Sequence, residues 1–209
     1  MPSPSHAQEA QALLAAAEAE LSRAVWPGLD AVCHATTERV LEAMAVHRLG
    51  EEHFYSVTGY GHDDMGRETA DAVFAHALQA EAALVRPHLV SGTHALAVAL
   101  NACLGHGDSM VCLTGAPYDT LEEVIGIRGD NPQSLRAKGV RYAQLGLLDE
   151  GAPGGLALDF DEATRQTLLS AKLAYIQRSR GYSMRPPLSI AQIERLIAAA
   201  RAVNPALLV

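Results

Sequence analysis

Short apolar runs alternate with helix-like stretches from about residue 83 to the end of the chain. Alternation of this kind predicts a mostly parallel β-sheet with helices on both of its faces, which is an α/β fold. The apolar runs predict strands near His88–Ser91, Ser109–Leu113, Val140–Leu145, Leu173–Gln177 and Ala206–Val209. The stretches with helical spacing are Thr93–Leu104, Tyr118–Ile125, Glu162–Ser170 and Ile190–Ala202.

The amino-terminal part of the chain follows another pattern. Apolar residues recur at helical spacing from Gln8 to about Arg48 and are interrupted at Trp26-Pro27-Gly28, which predicts two helices joined by a short turn. Phe54–Arg67 keeps no period and is rich in glycine, so it is predicted to be a loop with exposed groups, followed by a helix over Glu68–Gln79. We therefore divide the sequence into a helical arm with a glycine-rich loop (1–67) and an α/β domain (68–209).

The last apolar run, Ala206–Val209, is typical of a buried parallel strand, and the sequence ends there. Domains usually end in exposed segments outside the core, so we expect a truncated, incomplete domain. Ligands of parallel sheets bind beyond the carboxyl ends of the strands. Three turns lie at such ends and are expected to converge on one crevice: Ser91–Thr93, Thr114–Tyr118 and Arg178–Tyr182.

Composition narrows the function classes. The formal net charge is -8 and the isoelectric point is near 5.5 without a long basic block, which argues against nucleic acid or an acidic membrane surface as partner. The sequence has no apolar run of membrane-spanning length and no secretion signal at its start, so we expect a cytoplasmic protein. The three cysteines match no metal or redox spacing, which predicts reduced structural residues.

Ser91-Gly92-Thr93 is the first candidate binding segment. A predicted strand enters an alanine-rich helix here, and the first N–H groups of a helix have no intrahelical partner. A phosphate could accept these hydrogen bonds at the positive end of the helix dipole, and Gly92 would let it approach closely. Ordinary capping of the helix by Ser91 would leave the same pattern.

Other polar clusters allow two interpretations each. Tyr118 is either a stacking platform for a planar ligand or a half-buried tyrosine beside a turn. Arg178 and Arg180 could bind a carboxylate or phosphate, or belong to a solvated turn. His62-Asp63-Asp64 contains metal-binding residue types, but three adjacent side chains rarely point at one ion, so no metal site is predicted.

Four motifs together resemble a known group of enzymes. They are, in chain order, FYSVTGYGHDDMGR, SGTHAL, GAPYDTLEEVIG and IQRSRGYSMRP, and the resemblance that they carry covers the chain from about Phe54 to its end. The chain resembles the pyridoxal-phosphate enzymes of Cys/Met metabolism, and in particular the methionine gamma-lyase-like or aluminium resistance proteins.

This resemblance implies the large domain of the aspartate-aminotransferase-like fold (fold type I) with pyridoxal 5'-phosphate as cofactor. It also implies a carbon–sulfur lyase that acts on a sulfur amino acid as its small-molecule substrate and works as a homodimer or homotetramer. By position in the motifs, Ser91, Gly92 and Thr93 would hold the cofactor phosphate and Tyr118 would stack on the pyridine ring. Tyr60 and Arg67 would reach the neighbouring subunit's phosphate, although Arg67 could instead pair with Asp63 or Asp64 on the surface.

Two groups that this chemistry needs are missing from their expected places. The cofactor requires a lysine for its Schiff base and an acidic partner for its ring nitrogen. The only lysines, Lys138 and Lys172, each precede a predicted strand, at the wrong edge of the sheet. The sequence therefore resembles the amino-terminal half of the enzyme, inactive alone. The alternative is a non-catalytic truncated or degenerate relative that binds a phosphate compound or a full-length subunit.

Overall fold

The computed structural model describes residues 5–58, 64–152, 154–182 and 184–209 of the chain. It divides into two compact units, Met1–His88 and Leu89–Val209. The first unit contains helices α1 (His6–Ala24), α2 (Trp26–Val46) and α3 (Met65–Leu78), with a 3-10 helix at Glu51–Phe54. The second contains, in order, α4 (Gly92–Cys103), β1 (Ser109–Cys112), α5 (Asp119–Ile125), β2 (Arg141–Gln144), α6 (Glu162–Ser170), β3 (Leu173–Tyr175) and α7 (Ile190–Val203).

Local capping determines where α1 begins, whereas α2 begins without a side-chain cap. The Ser5 hydroxyl accepts a hydrogen bond from the Gln8 N–H, and the Gln8 side chain accepts one from the Ser5 N–H, which is a capping box. The predicted pair of helices is confirmed, but the expected turn at Trp26-Pro27-Gly28 is wrong, because these residues form the first turn of α2. Proline is accommodated there since the first N–H groups of a helix need no intrahelical acceptor.

Helix α3 begins three residues before its predicted start at Glu68. The Asp64 side chain accepts a hydrogen bond from the Arg67 N–H at 3.0 Å and so caps the helix. The helix packs against α2, and it therefore belongs to the compact unit that ends at His88. The division made from the sequence, after residue 67, falls within the first turn of α3.

A carboxylate in α3 binds the segment that follows the helix. Asp71 accepts hydrogen bonds from the Val85 N–H at 2.6 Å and from the Arg86 guanidinium at 2.7 Å. The hydrogen bond from Arg86 is the main cause that lowers the pKa of the Asp71 carboxyl below its usual value.

The Asp71→Asn variant should therefore be less stable at neutral pH, by about 1–2 kcal/mol for two bonds to a charged group. A carboxyl whose pKa is lower in the folded state stabilises the fold above its unfolded pKa, and this contribution is lost as the pH falls through the folded pKa. Urea unfolding of both proteins from pH 7 down to about pH 3 should show a difference that shrinks towards the acid end. A difference that stays constant with pH would contradict this assignment.

The predicted parallel sheet is confirmed in the second unit. Its strand order is β2-β1-β3, and Met110 on the central strand pairs with Tyr142 on one side and Leu173 on the other. Alternate residues of β1 point to opposite faces. Met110 and Cys112 join a core with α4 and α5, whereas Val111 joins one with α6 and α7, so helices cover both faces of the sheet.

Two predicted strands are not strands in the structure. Residues 88–91 are irregular after a turn at Pro87–His88, and within the described ranges no segment pairs with them. Ala206–Val209 makes a single parallel bridge, in which the Leu208 N–H donates to the Lys172 carbonyl and the Leu208 carbonyl accepts from Ala174. An apolar run becomes a strand only where a neighbour supplies a ladder of hydrogen bonds, and these two segments lack one.

None of the helices in the described parts of the chain combines the length and apolar character needed to cross a membrane.

Candidate functional site

The loops at the carboxyl edge of the sheet lie next to one another in the second unit. The loop after β1 contacts the loop after β3 through Tyr118, whose ring stacks on that of Tyr182. The start of α4 contacts the start of α5, where the hydroxyls of Thr93 and Thr120 lie 2.8 Å apart in a hydrogen bond. The structure thus brings together the three turns that the sequence placed at this edge.

The Ser91–Thr93 turn combines capping with open donors. Ser91 is the N-cap of α4, and its hydroxyl accepts a hydrogen bond from the His94 N–H at 3.1 Å. The N–H groups of Gly92 and Thr93 have no acceptor within the described parts of the chain. Both interpretations of the sequence therefore hold at once, because the Ser91 hydroxyl caps the helix while two backbone donors remain available to an anion.

Gly92 is exposed, and a Cβ atom added to it would meet no atom within 4 Å. Its backbone is not in the left-handed region, so the local conformation does not require glycine. The space at the Cβ position of Gly92 is therefore unoccupied in the described part of the chain.

Tyr118 stands just before α5 with 39% of its surface exposed. Its ring lies 6.1 Å from that of Tyr182, centroid to centroid, with 26° between the planes. A hydrogen bond between the two phenols is the main cause that raises the pKa of Tyr118. The exposed ring is available as a planar surface at the edge of the site.

A cleft of about 380 Å³ opens beside this tyrosine. It carries acidic and basic side chains, since Asp119 and Glu122 lie on its α5 side and Arg180 and Arg185 on the other. The Ser91–Thr93 turn was expected at the same crevice but is not part of its lining, and it contacts this region through the hydrogen bond between Thr93 and Thr120. The full lining is Thr114, Gly115, Ala116, Pro117, Tyr118, Asp119, Glu122, Gln177, Arg180, Gly181, Tyr182 and Arg185.

The two arginines singled out in the loop after β3 have different positions. Arg180 lines the cleft, as predicted. Arg178 does not, because its guanidinium Nε donates to the Leu188 carbonyl at 3.1 Å. Arg178 thus holds the loop in place, and Arg185, which the sequence analysis did not single out, lines the cleft instead.

Gln177 is the functional candidate that the sequence analysis missed. It is buried two residues after the end of β3, and its Oε1 accepts a hydrogen bond from the Tyr118 N–H at 2.6 Å. The only signal in the sequence is a glutamine at the end of an otherwise apolar strand, where a polar side chain needs a buried partner.

The glycine-rich loop was predicted to supply Tyr60 and Arg67. Tyr60 lies outside the described residues, as do His62 and Asp63. The Arg67 guanidinium forms an ion pair with Asp64 at 3.1 Å, which is the surface pairing named as the alternative. A role for either residue at a neighbouring subunit's phosphate stays a prediction.

The two lysines lie at the opposite edge of the sheet. Lys172 precedes β3 and forms an ion pair with Asp108 at 2.7 Å, next to the start of β1. Lys138 precedes β2 and donates to the Asn101 side chain at 2.9 Å. Both are at the amino ends of parallel strands, so neither faces the loops around Tyr118.

Comparisons with known proteins find one family over nearly the whole chain. The family model for methionine gamma-lyase matches residues 10–209. The Bacillus subtilis protein YnbB is 39% identical over 172 residues, which are 82% of this chain and 40% of that protein.

Two crystal structures are also similar. A Bacillus cereus protein has 36% identity and a TM-score of 0.85 over 95% of this chain and 47% of its own. A carbon-sulfur lyase involved in aluminium resistance from Clostridium novyi NT has 37% identity and a TM-score of 0.78 over 88% of this chain and 43% of its own. The chain thus spans less than half the length of these relatives.

Proposed function

The chain belongs to the methionine gamma-lyase family, and from that premise we propose that it forms the amino-terminal half of a pyridoxal-phosphate-dependent carbon–sulfur lyase. The proposed fold is the fold type I large domain, and the proposed substrate is a sulfur amino acid. The observation that carries the proposal is that two features lie at the same edge of the sheet. They are the N–H groups of Gly92 and Thr93, which have no acceptor in the described part of the chain, and the exposed ring of Tyr118.

The residues at this edge fit the cofactor by their chemistry. A phosphate needs several hydrogen-bond donors, and the start of α4 offers two backbone N–H groups at the positive end of a 12-residue helix. Thr93 adds a hydroxyl, which the Thr120 hydroxyl holds in place. An aromatic face such as that of Tyr118 suits the heteroaromatic ring of the cofactor.

Bound pyridoxal phosphate would supply an electron sink for loss of the substrate's α proton and then of its sulfur substituent. The residues of this chain would bind the cofactor and orient its ring. Ser91, Gly92 and Thr93 would fix the phosphate, and Tyr118 would fix the plane of the ring. Arg180 lies where it can attract an anionic group of the substrate into the cleft.

We place the cofactor-binding lysine and the acidic partner of the ring nitrogen in the part of the relatives' length that this chain does not span. The positions of Lys138 and Lys172, both engaged at the amino edge of the sheet, support that placement. We further propose a cytoplasmic homodimer or homotetramer in which Tyr60 and Arg67 approach the neighbouring subunit's cofactor.

Borohydride reduction of the protein isolated from its native source tests this proposal. Reduction fixes pyridoxal phosphate on the lysine that carries it, and peptide mapping then identifies that lysine. We expect an intact mass well above 22.2 kDa and a labelled lysine outside residues 1–209. We also expect release of ammonia, a 2-oxo acid and a thiol from a sulfur amino acid.

A recombinant chain of residues 1–209 is the matched control, and it should show no labelled lysine and no lyase activity. A label on Lys138 or Lys172 of the native protein would contradict the placement of the lysine. A native mass near 22.2 kDa without bound cofactor would favour the non-catalytic relative.

A further inference from the structure

Gln177 connects the two loops that meet at Tyr118. Its side-chain Oε1 accepts from the Tyr118 N–H at 2.6 Å, and its Nε2 donates to the Ser179 carbonyl at 3.3 Å. Its backbone N–H donates to the buried Thr114 hydroxyl at 3.2 Å. A single buried side chain thus joins the loop after β1 to the loop after β3.

The position of the Tyr118 backbone depends on this contact. The Tyr118 carbonyl accepts hydrogen bonds from the Leu121 and Glu122 N–H groups, so α5 holds one side of the residue. Tyr118 is the N-cap residue of α5, and its side chain makes no capping hydrogen bond to the helix. Its N–H, on the side away from the helix, donates to the Gln177 side chain. With both peptide groups fixed, the Cα–Cβ direction and hence the starting point of the ring are fixed as well.

The loop that carries Gln177 is itself held. The Arg185 guanidinium donates to the Gln177 carbonyl at 3.0 Å and to the Ser179 carbonyl at 2.6 Å. These bonds hold the backbone on both sides of Arg178, so the Gln177 amide is presented to Tyr118 from a rigid loop.

We propose that Gln177 is a positioning residue that sets the Tyr118 ring for stacking on the cofactor. This inference rests on the proposed function, since it takes pyridoxal phosphate as the ligand. Only glutamine supplies both an acceptor for Tyr118 and a donor for Ser179 at this length. Glutamate keeps the acceptor, methionine removes both groups at similar size, and asparagine withdraws the amide by one methylene.

The test compares these three variants in the protein of native length. Pyridoxal phosphate is titrated into each apoprotein, and both the dissociation constant and the induced circular dichroism of the bound cofactor are measured. The dichroism per bound cofactor reports how the protein orients the ring, which a loss of stability alone does not change.

We expect Gln177→Met to bind pyridoxal phosphate about tenfold more weakly and with a smaller dichroism band, in line with the loss of the hydrogen bond from the Tyr118 N–H. Gln177→Glu should recover most of the band because it retains the acceptor for Tyr118. Gln177→Asn should resemble the methionine variant, and it decides the question if Gln177→Met does not fold.

Asn204 offers a matched control. Its amide donates to the Leu168 and Ala171 carbonyls, both at 2.9 Å, and it does not line the cleft. Asn204→Leu should therefore lower stability and leave the dichroism per bound cofactor unchanged.

If the wild type binds no pyridoxal phosphate, the proposed function itself fails. If the wild type binds it and the methionine or asparagine variant shows the same affinity and band, only the role of Gln177 is overturned. Equal loss of the band in Asn204→Leu would also overturn that role, since the effect would then follow stability.

Discussion

Gly92→Leu is expected to abolish binding of pyridoxal phosphate while leaving the fold intact. The leucine side chain would project from the first residue of α4, beside the N–H groups where the phosphate is proposed to bind. Losing two hydrogen bonds to a charged group weakens affinity by about a hundredfold or more.

The fold should tolerate this change for local reasons. The Cβ atom meets nothing within 4 Å, and the Gly92 backbone lies outside the left-handed region that disfavours other residues. Leucine also has a higher helix propensity than glycine, so the start of α4 should not be destabilised. Stability is measured by urea unfolding and affinity by titration of the apoprotein of native length with pyridoxal phosphate.

Gly28→Leu is the matched control, because Gly28 lies in α2 and its Cβ would likewise meet nothing within 4 Å. It should bind pyridoxal phosphate as the wild type does. Wild-type affinity in Gly92→Leu would show that this turn does not hold the phosphate. A large loss of stability in Gly92→Leu would contradict the finding that a Cβ atom at this position meets no neighbouring atom within 4 Å.

Local signals in the sequence predict most of the helices of the second unit. Asp161 and Ser189 cap α6 and α7 through hydrogen bonds to Thr164 and Gln192, so the starts of both helices coincide with the predicted ones. The periodicity of each helix and its cap lie within a few residues, and one sequence window therefore contains the whole signal.

Strands depend on partners that the local sequence does not contain. Ser109–Cys112 and Leu173–Tyr175 form strands because they pair with each other in register, whereas the equally apolar residues 88–91 do not. A helix satisfies its own backbone and a strand does not. The strand predicted at residues 88–91 is therefore absent because the segment has no pairing partner in the described part of the chain, and not because it lacks apolar residues.

The candidate site shows the same division. Ser91, Gly92 and Thr93 are contiguous, so their role as a helix start with open N–H groups could be predicted from the sequence. Gln177 bonds to Tyr118 across 59 positions of sequence, and no local pattern reveals that contact. The proposed binding groups could be predicted, but Gln177, which we propose orients one of them, required the three-dimensional structure.

Leu196→Ala is expected to destabilise the protein by about 2–5 kcal/mol. Leu196 is fully buried in α7, in the same cluster as Val111 of β1 and Leu168 of α6. Truncation removes apolar burial and leaves a cavity, because the surrounding helix and sheet can close it only in part. The measurement is equilibrium urea unfolding of the 209-residue chain, with far-ultraviolet circular dichroism as the signal for the folded state.

Ile190→Ala in the same helix is the matched control for this variant. Ile190 is 65% exposed, so its truncation should change stability by no more than about 0.5 kcal/mol. Equal effects of the two variants would contradict the packing of α7 on the sheet.

The same variant separates folding from cofactor binding. The cluster around Leu196 lies on one face of β1, and Tyr118 lies in the loop after β1. Leu196→Ala should therefore reduce cofactor binding only at temperatures or urea concentrations at which the protein unfolds. Gly92→Leu should reduce it in the fully folded protein, and this difference separates loss of the binding groups from loss of the fold that presents them.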